Sequence, residues 1–301
     1  MNGILPLWKP KGMTSHDCVI KIRKLFGTKK VGHTGTLDPE VEGVLPICIG
    51  KATKIVPFLT DTTKTYQATI YLGATTETED RHGIIVEKTP IDTVPSMETI
   101  NHVFNQFKGE ITQIPPMYSA VKINGKKLYE YAREGKTIER PTRAVNIHQI
   151  QLNPRSIKKE DDGVTFDFLV KCSKGTYIRT LCVDIGKALG YAAHMYDLTR
   201  ISTGSFEAQH SYTFEQIEQA IKDGNTKHIL APVEKGVDHL DVYEVDQSTS
   251  VKILHGQKLE KPQQVLKTDK FRIQFQDQLL AIYQVNPKNA GEIKPVRVFN
   301  E

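Results

Sequence analysis

The chain has 301 residues, enough for one large core and a small second domain. Its formal net charge of +5 permits a polyanionic ligand, and no apolar run approaches the roughly 18 residues of a membrane span. The start lacks the charged head and apolar core of a signal peptide, so the expectation is a cytoplasmic protein with no membrane association.

Thr14-Ser15 ahead of Val19, Ile20, Ile22, Leu25 and Phe26 predicts a capped amphipathic helix ending at Gly27. Gly32-His33-Thr34-Gly35-Thr36-Leu37-Asp38-Pro39 follows, closing with Gly43-Val44-Leu45-Pro46. Gly32, Gly35 and Gly43 open backbone regions closed to other residues, and Pro39 holds the residue before it out of helix. Leu37-Asp38 therefore reads as irregular backbone that aims one carboxylate, although Asp before Pro is by itself more often a turn initiator. Tyr66, Ala68, Ile70 and Leu72 alternate with Thr65, Gln67, Thr69 and Tyr71, the period of a half-buried strand. Between Gly109 and Lys136 lie Pro115-Pro116, Tyr118-Ser119-Ala120 and a basic, helical Leu128-Tyr129-Glu130-Tyr131-Ala132-Arg133. Proline stiffness beside aromatic and cationic groups suits a mobile clamp on an RNA hairpin, with a plain structural hairpin as the alternative.

Val164, Phe166, Phe168, Val170 and Cys172 form a second alternating strand. Ile178, Leu181, Cys182, Ile185 and Leu189 recur at helical spacing between Gly175 and Gly190, with Arg179 off that stripe and free to point elsewhere. After Pro232-Val233-Glu234-Lys235-Gly236 come short strand-like segments: Val242 to Val245, Phe271 to Phe275 and Leu279 to Tyr283. They predict a small β-rich domain whose core is marginal alone and which docks on the larger domain. Strand runs mixed with separate helices, without regular βαβ units, predict an α+β fold with a mixed, mainly antiparallel sheet.

Cys18, Cys48, Cys172 and Cys182 lack paired spacing and the histidines are scattered, so reduced buried thiols and no metal site are expected. Ser15-His16-Asp17 is no catalytic triad, because consecutive helical residues point apart. Gly50-Lys51-Ala52-Thr53 lacks the first glycine and final hydroxyl of a phosphate loop. Lys21, Arg23, Lys24, Lys29 and Lys30 lead into the Asp38 loop, and Lys122, Lys126, Lys127, Arg133 and Lys136 form a second basic group. Either alone is an ordinary solvated face; two clusters flanking an isolated carboxylate favour a polyanion.

Lys9-Pro10-Lys11-Gly12-Met13-Thr14-Ser15, the Asp38 loop, Lys64-Thr65-Tyr66 and the run from Gln113 to Lys122 stand in that order. They are followed by Ser173-Lys174-Gly175-Thr176-Tyr177-Ile178-Arg179-Thr180-Leu181, then Leu198-Thr199-Arg200 with Gly204-Ser205-Phe206. From about Gly3 to about Phe206 this set resembles a TruB-type tRNA pseudouridine synthase. Small departures are Trp8 before Lys9-Pro10, and Glu40, Val41 and Glu42, the last adding negative charge near Asp38.

The resemblance implies an isomerase, an intramolecular transferase, converting uridine 55 in the tRNA T loop to pseudouridine. It implies a catalytic domain over residues 1–237, with flanking helices and a thumb insertion at about 109–136, and a PUA-like RNA-binding domain over 238–301. Breaking an N-glycosidic bond and rejoining the base through carbon needs a carboxylate at the sugar and no redox, metal or phosphate donor, so no cofactor is expected. By resemblance Asp38 is the nucleophile, Arg179 its bidentate cationic partner and Tyr66 a stacking and proton-transfer group. His33 fills the stack vacated by an extruded uridine, Ile178 and Leu198 wall the base pocket, and Lys9 packs beneath the Asp38 loop. Lys126, Lys127 and Arg133 grip the RNA. The expected partner is the T stem-loop of tRNA, with no obligate protein partner. The alternatives are a guide-RNA-dependent, dyskerin-type synthase and a non-catalytic tRNA-binding or folding protein on the same scaffold; the basic Lys126 to Lys136 segment favours the stand-alone enzyme.

Overall fold

The computed structural model describes residues 1–300. In chain order it contains β1 (Gly3–Lys9), α1 (Ser15–Leu25), β2 (Val31–His33), β3 (Glu42–Ile49), α2 (Val56–Thr60), β4 (Lys64–Leu72), β5 (Ala74–Thr76), β6 (Ile85–Lys88), α3 (Met97–Gln106) and β7 (Gly109–Gln113). Next are β8 (Lys122–Ile123), β9 (Lys126–Lys127), α4 (Leu128–Arg133), β10 (Arg143–Leu152), β11 (Lys158–Lys159), β12 (Val164–Cys172), α5 (Ile178–Leu189) and β13 (Ala193–Thr203). The remainder is β14 (Phe206–Glu207), α6 (Phe214–Lys222), β15 (Val242–Glu244), α7 (Gln247–Leu254), β16 (Leu259–Glu260), β17 (Lys270–Phe275), β18 (Gln278–Asn286) and β19 (Asn289–Val298).

The chain forms two compact units. One comprises Met1–Pro39, Val44–Thr62 and the chain from Gly204 onward; the other comprises Glu40–Gly43 and Thr63–Thr203. Strand β3 begins in the second and runs on into the first.

In the second unit β13, β4, β12, β10 and β7 are neighbours in that order, each pair antiparallel. The opening residues of β3 add a parallel pairing, Glu42 with Thr199 and Gly43 with Arg200. The sheet is thus mixed and mainly antiparallel, on an α+β scaffold. Tyr66, Ala68, Ile70 and Leu72 of β4 are buried, as their alternation predicts. Phe104 of α3 packs its ring on Phe166 and Phe168 of β12, with centroids 6.3 and 5.5 Å away. Helix α5 packs on β13 and β4. Gly43 has φ +124°, and a Cβ there would lie 2.2 Å from the Arg200 carbonyl oxygen, so only glycine allows this approach of β3 to β13.

In the first unit β3 lies between β1 and β2, with β2 antiparallel to it. Thr14 caps α1 through a reciprocal capping box with Asp17, and Ser15, Cys18, Val19 and Ile22 form its buried face. Ile20, read as part of the apolar stripe, is exposed instead, because it lies on the helix face away from Cys18 and Ile22. Gly32, expected to use backbone closed to other residues, is an ordinary strand residue of β2. Strands β15, β17, β18, β19 and β16 form a separate five-stranded sheet, the β-rich segment expected near the C-terminus. Leu280, Ala281 and Tyr283 of β18 join a cluster with Ile253, Phe271, Ile273 and Ile293. Leu279 and Ile282 of the same strand join a second cluster with Ile4, Val44, Phe58, Phe206 and Val237. All four cysteines are free thiols and buried. Among the described residues no helix is long and apolar enough to cross a membrane.

Candidate active site

Asp38 lies half-buried in irregular backbone, and the residues on both sides of it are pinned. Leu37 N–H donates to Ser15 Oγ at 2.9 Å, and the same hydroxyl donates to the Leu37 carbonyl at 3.2 Å. On the other side the Pro39 carbonyl accepts from Gly12 N–H at 2.9 Å and from Lys9 Nζ at 3.0 Å. Lys9 is fully buried, and its ammonium also donates to the carbonyls of Pro10 at 2.8 Å and Met13 at 2.6 Å. An ammonium brings three donors, and meeting carbonyls with them offsets the cost of leaving water. Upstream, Thr34 donates its N–H and hydroxyl to the Pro46 carbonyl, and Gly35 takes φ +96°. The loop is therefore held by side chains and stray backbone groups where no strand ladder exists to hold it. His33 ends β2 opposite Ile47, and Glu40 is exposed beside buried Val41.

The other unit carries Tyr66, Ile178, Arg179 and Leu198, all buried. Tyr66 sits in β4, in register with Val170 of β12 and Arg200 of β13. Leu198 is in register with Ala68. Arg179 is only 5 % exposed, contrary to a side chain free to point away from the core. The whole first turn of α5 is covered, Ile178 to Cys182, so a residue off the apolar stripe is buried too. Its guanidinium instead donates from Nη1 to the Thr78 carbonyl and from Nη2 to the Tyr118 carbonyl, both at 2.9 Å. Gln113 fixes the residue before that turn, accepting from Tyr177 N–H at 3.0 Å and donating to its carbonyl at 3.1 Å. Burial raises the carboxyls of Glu79, bonded at the start of α5, and of Asp184, in the middle of that helix; for Glu79 a bond from Thr180 and the charges of Arg179 and Arg140 oppose the rise.

Ser15, Gln113 and Thr78 were not legible as site residues. Ser15 sits in a run read as a helix start and as part of a family motif, neither of which gives it a role at Asp38, and Thr78 contributes through backbone, which no side-chain pattern reports. A glutamine directly before Ile114-Pro115-Pro116 was the one available signal, since proline leaves neighbouring backbone groups without ladder partners.

Lys126, Lys127 and Arg133 lie in the hairpin β8–β9 and in α4. Asn124 and Gly125, at φ +52° and +81°, make the tight turn. Lys127 and Arg133 both stand over the Tyr129 ring at 5.2 Å, and Lys126 over Tyr131 at 4.7 Å. The cluster is not unopposed: Glu134 pairs with Lys126 and, at 3.1 Å, with Lys136. In the other basic group Lys21 pairs with Glu218 at 3.0 Å and Arg23 donates to the Val31 carbonyl. Among the described residues no group of three or more His, Cys, Asp or Glu could hold a metal ion.

The TruB family pseudouridylate synthase N-terminal domain matches residues 23–178, and the tRNA pseudouridylate synthase B C-terminal domain matches residues 179–238. The chain is 55 % identical over 300 residues to the tRNA pseudouridine synthase B of Oceanobacillus iheyensis, covering 99 % of this chain and 98 % of that one. It is 48 % identical over 303 residues to the protein of the same name from Bacillus subtilis, covering 99 % and 98 %. Among solved structures, a chain of a Cbf5-Nop10-Gar1 complex superposes with a TM-score of 0.76 at 29 % identity, over 99 % of this chain and 85 % of that one. The sheet, the carboxylate loop and these likenesses define an enzyme, an isomerase that forms pseudouridine. Within that class the chain belongs to the TruB family.

Proposed function

We propose that this protein converts uridine 55 in the T loop of tRNA to pseudouridine, with Asp38 as nucleophile. The observation that carries the reading is the double pinning of the Asp38 loop, by Ser15 on one side and by Lys9 and Gly12 on the other. A carboxylate that must meet one sugar carbon gains rate from being held in place before substrate arrives. Asp38 adds to the ribose C1′ as the N1–C1′ bond breaks; the uracil turns and C5 displaces the carboxylate. C5 then loses its proton and N1 gains one, so the product is an isomer. Arg179 keeps Asp38 ionised and oriented in the reacting complex, and Tyr66 stacks on the base and assists the proton transfer at C5. Ile178 and Leu198 wall the pocket, and His33 fills the gap left by the extruded nucleotide.

Residues 1–237 serve as the catalytic domain. The thumb at about 109–136, with Lys126, Lys127 and Arg133, grips the T stem-loop, and residues 238–301 act as a PUA-like RNA-binding module. The enzyme works in the cytoplasm without an obligate protein partner or cofactor. Identities near one half to proteins named tRNA pseudouridine synthase B, against 29 % to the Cbf5 chain, favour this stand-alone reading over a guide-RNA-dependent one. The test is incubation of the purified chain with an unmodified tRNA transcript, followed by chemical mapping of pseudouridine. Modification at position 55 by the wild type, and none by a folded Asp38→Asn variant that still binds tRNA, is the expected result. A wild type that leaves position 55 unmodified, or an Asp38→Asn variant that turns over normally, would refute it.

A further inference from the structure

Helix α5 brings no acidic residue to its own first turn, and its N-cap residue Tyr177 offers no side-chain cap. The missing negative group comes from elsewhere in the chain. Thr180 Oγ1 donates to Glu79 Oε2 at 2.7 Å, which puts a carboxylate at the positive end of the helix. In the same sense, Arg179 Nη1 donates to the carbonyl of Thr78, the residue before Glu79. Two consecutive helix residues thus donate to two consecutive loop residues, one to a backbone carbonyl and one to a carboxylate.

The loop is built to present this pair. Glu79 takes φ +63°, a left-handed conformation unusual for a residue with a long side chain. It is held there from both sides of its own peptide group: its N–H donates to the Thr76 carbonyl at 3.1 Å, and its carbonyl accepts from Met195 N–H at 3.0 Å. A further bridge joins Asp80 to Met195. Strained backbone of this kind persists where the surroundings over-determine it, and it occurs preferentially at functional sites.

We infer that Glu79 is a positioning residue for Arg179: by holding Thr180 it fixes the Thr78 carbonyl against which the guanidinium is aligned. This rests on the reading of Arg179 as part of the catalytic set. Glu79 touches no reacting atom; its effect is on the orientation of the fork, which a bidentate partner of a carboxylate requires.

The test compares Glu79→Ala, Glu79→Gln and Thr180→Val in single-turnover reactions at saturating tRNA transcript, with tRNA affinity measured separately. Glu79→Ala should lower the rate about 10- to 100-fold while affinity changes less than about threefold. Glu79→Gln keeps an acceptor for Thr180 and should recover most of that rate. Thr180→Val keeps the side-chain shape and removes the donor, so it reports on the same bond even if Glu79→Ala fails to fold. Combining Glu79→Ala with Thr180→Val should add little to either alone. Rates within twofold of wild type for both Glu79→Ala and Thr180→Val would overturn the inference, as would a loss confined to affinity. Arg179→Lys in parallel keeps the two levels apart: if it alone loses rate, only the role of Glu79 falls; if it reacts like wild type, the catalytic reading of Arg179 falls.

Discussion

Replacing Lys9 by Met removes the ammonium and keeps most of the side-chain volume. Of the three carbonyls that Lys9 serves, Pro39 keeps its bond from Gly12, while those of Pro10 and Met13 lose their ammonium partner. Leaving two part-buried acceptors short costs at most about 2 to 6 kcal/mol. Relief from burying a charge, worth several kcal/mol, offsets much of this, so the net destabilisation should be about 1 to 3 kcal/mol. The effect on rate should exceed the effect on stability, because the Pro39 carbonyl is bonded next to Asp38 and a shift of about 1 Å in a reacting group can cost 100-fold. Urea unfolding with an unchanged m-value would report the first quantity, and single-turnover pseudouridine formation at saturating tRNA the second. A Lys9→Met variant with a rate within twofold of wild type would refute this pinning of the Asp38 loop by Lys9, whatever its stability.

Gly43→Ala should cost about 2 to 5 kcal/mol, since the new Cβ meets the Arg200 carbonyl oxygen at 2.2 Å and φ is +124°; a thermal midpoint equal to wild type would contradict this. Burial raises the thiols of Cys18 and Cys172 from 9.0 to about 11 and of Cys48 to about 12, and raises Cys182 as well. The folded state thus holds these protons more tightly than the unfolded one, and the stability they contribute is full below pH 9.0 and is lost as pH rises through 11 to 12. Each thiol should subtract about 1.4 kcal/mol per pH unit between 9.0 and its own folded value, and a flat stability profile above pH 9.0 by chemical denaturation would sink the assignment. Glu134→Gln frees Lys126 and Lys136 from their shared carboxylate, so tRNA affinity should rise and its salt dependence steepen, whereas replacing Lys126, Lys127 and Arg133 together by Ala should weaken binding and flatten the slope. Titrations at several salt concentrations would show whether both changes carry the expected signs.

Elements with a clean period were legible: α1, with a cap and a one-sided stripe, and β4 and β12, with strict alternation. Strands β13 and β10 were not, and their registers give the reason. Each carries an irregularity, between Met195 and Asp197 and again between Arg200 and Ser202 in β13, and between Ile147 and Gln149 in β10. An extra residue shifts the side chains to the other face and erases a period of two. Strands β1 and β3 fail differently: nearly every residue is buried, so the pattern is continuous and carries no period. β19 is interrupted by Gly291 and Pro295, and its apolar residues Ile293, Val296 and Val298 do not keep a period of two. For the candidate site, Gly35 and Pro39 announced the irregular backbone around Asp38. The surroundings of Arg179 could not be read in full, because two of its acceptors are backbone carbonyls at positions 78 and 118, where side-chain identity carries no information.

The cluster around Ile4 and Val44 also has a consequence for the order in which the molecule can come together during synthesis. Its members include Phe206, Val237, Leu279 and Ile282, so the earliest strands emerge from the ribosome long before the residues that cover them. The intervening stretch from Thr63 to Thr203 is the bulk of a unit of its own and can pack while those strands wait. Its entry and exit are brought together where the open face of Gly204 lies against Thr62, within 3.3 to 3.4 Å of an added Cβ. Joining points so far apart in sequence carries a large but slowly growing entropy cost, so early compaction of the insert shortens the effective loop and eases the final closure. The N-terminal strands thus depend on the last-made part of the protein, and loss of β18 would leave Ile4 and Val44 without part of their cover.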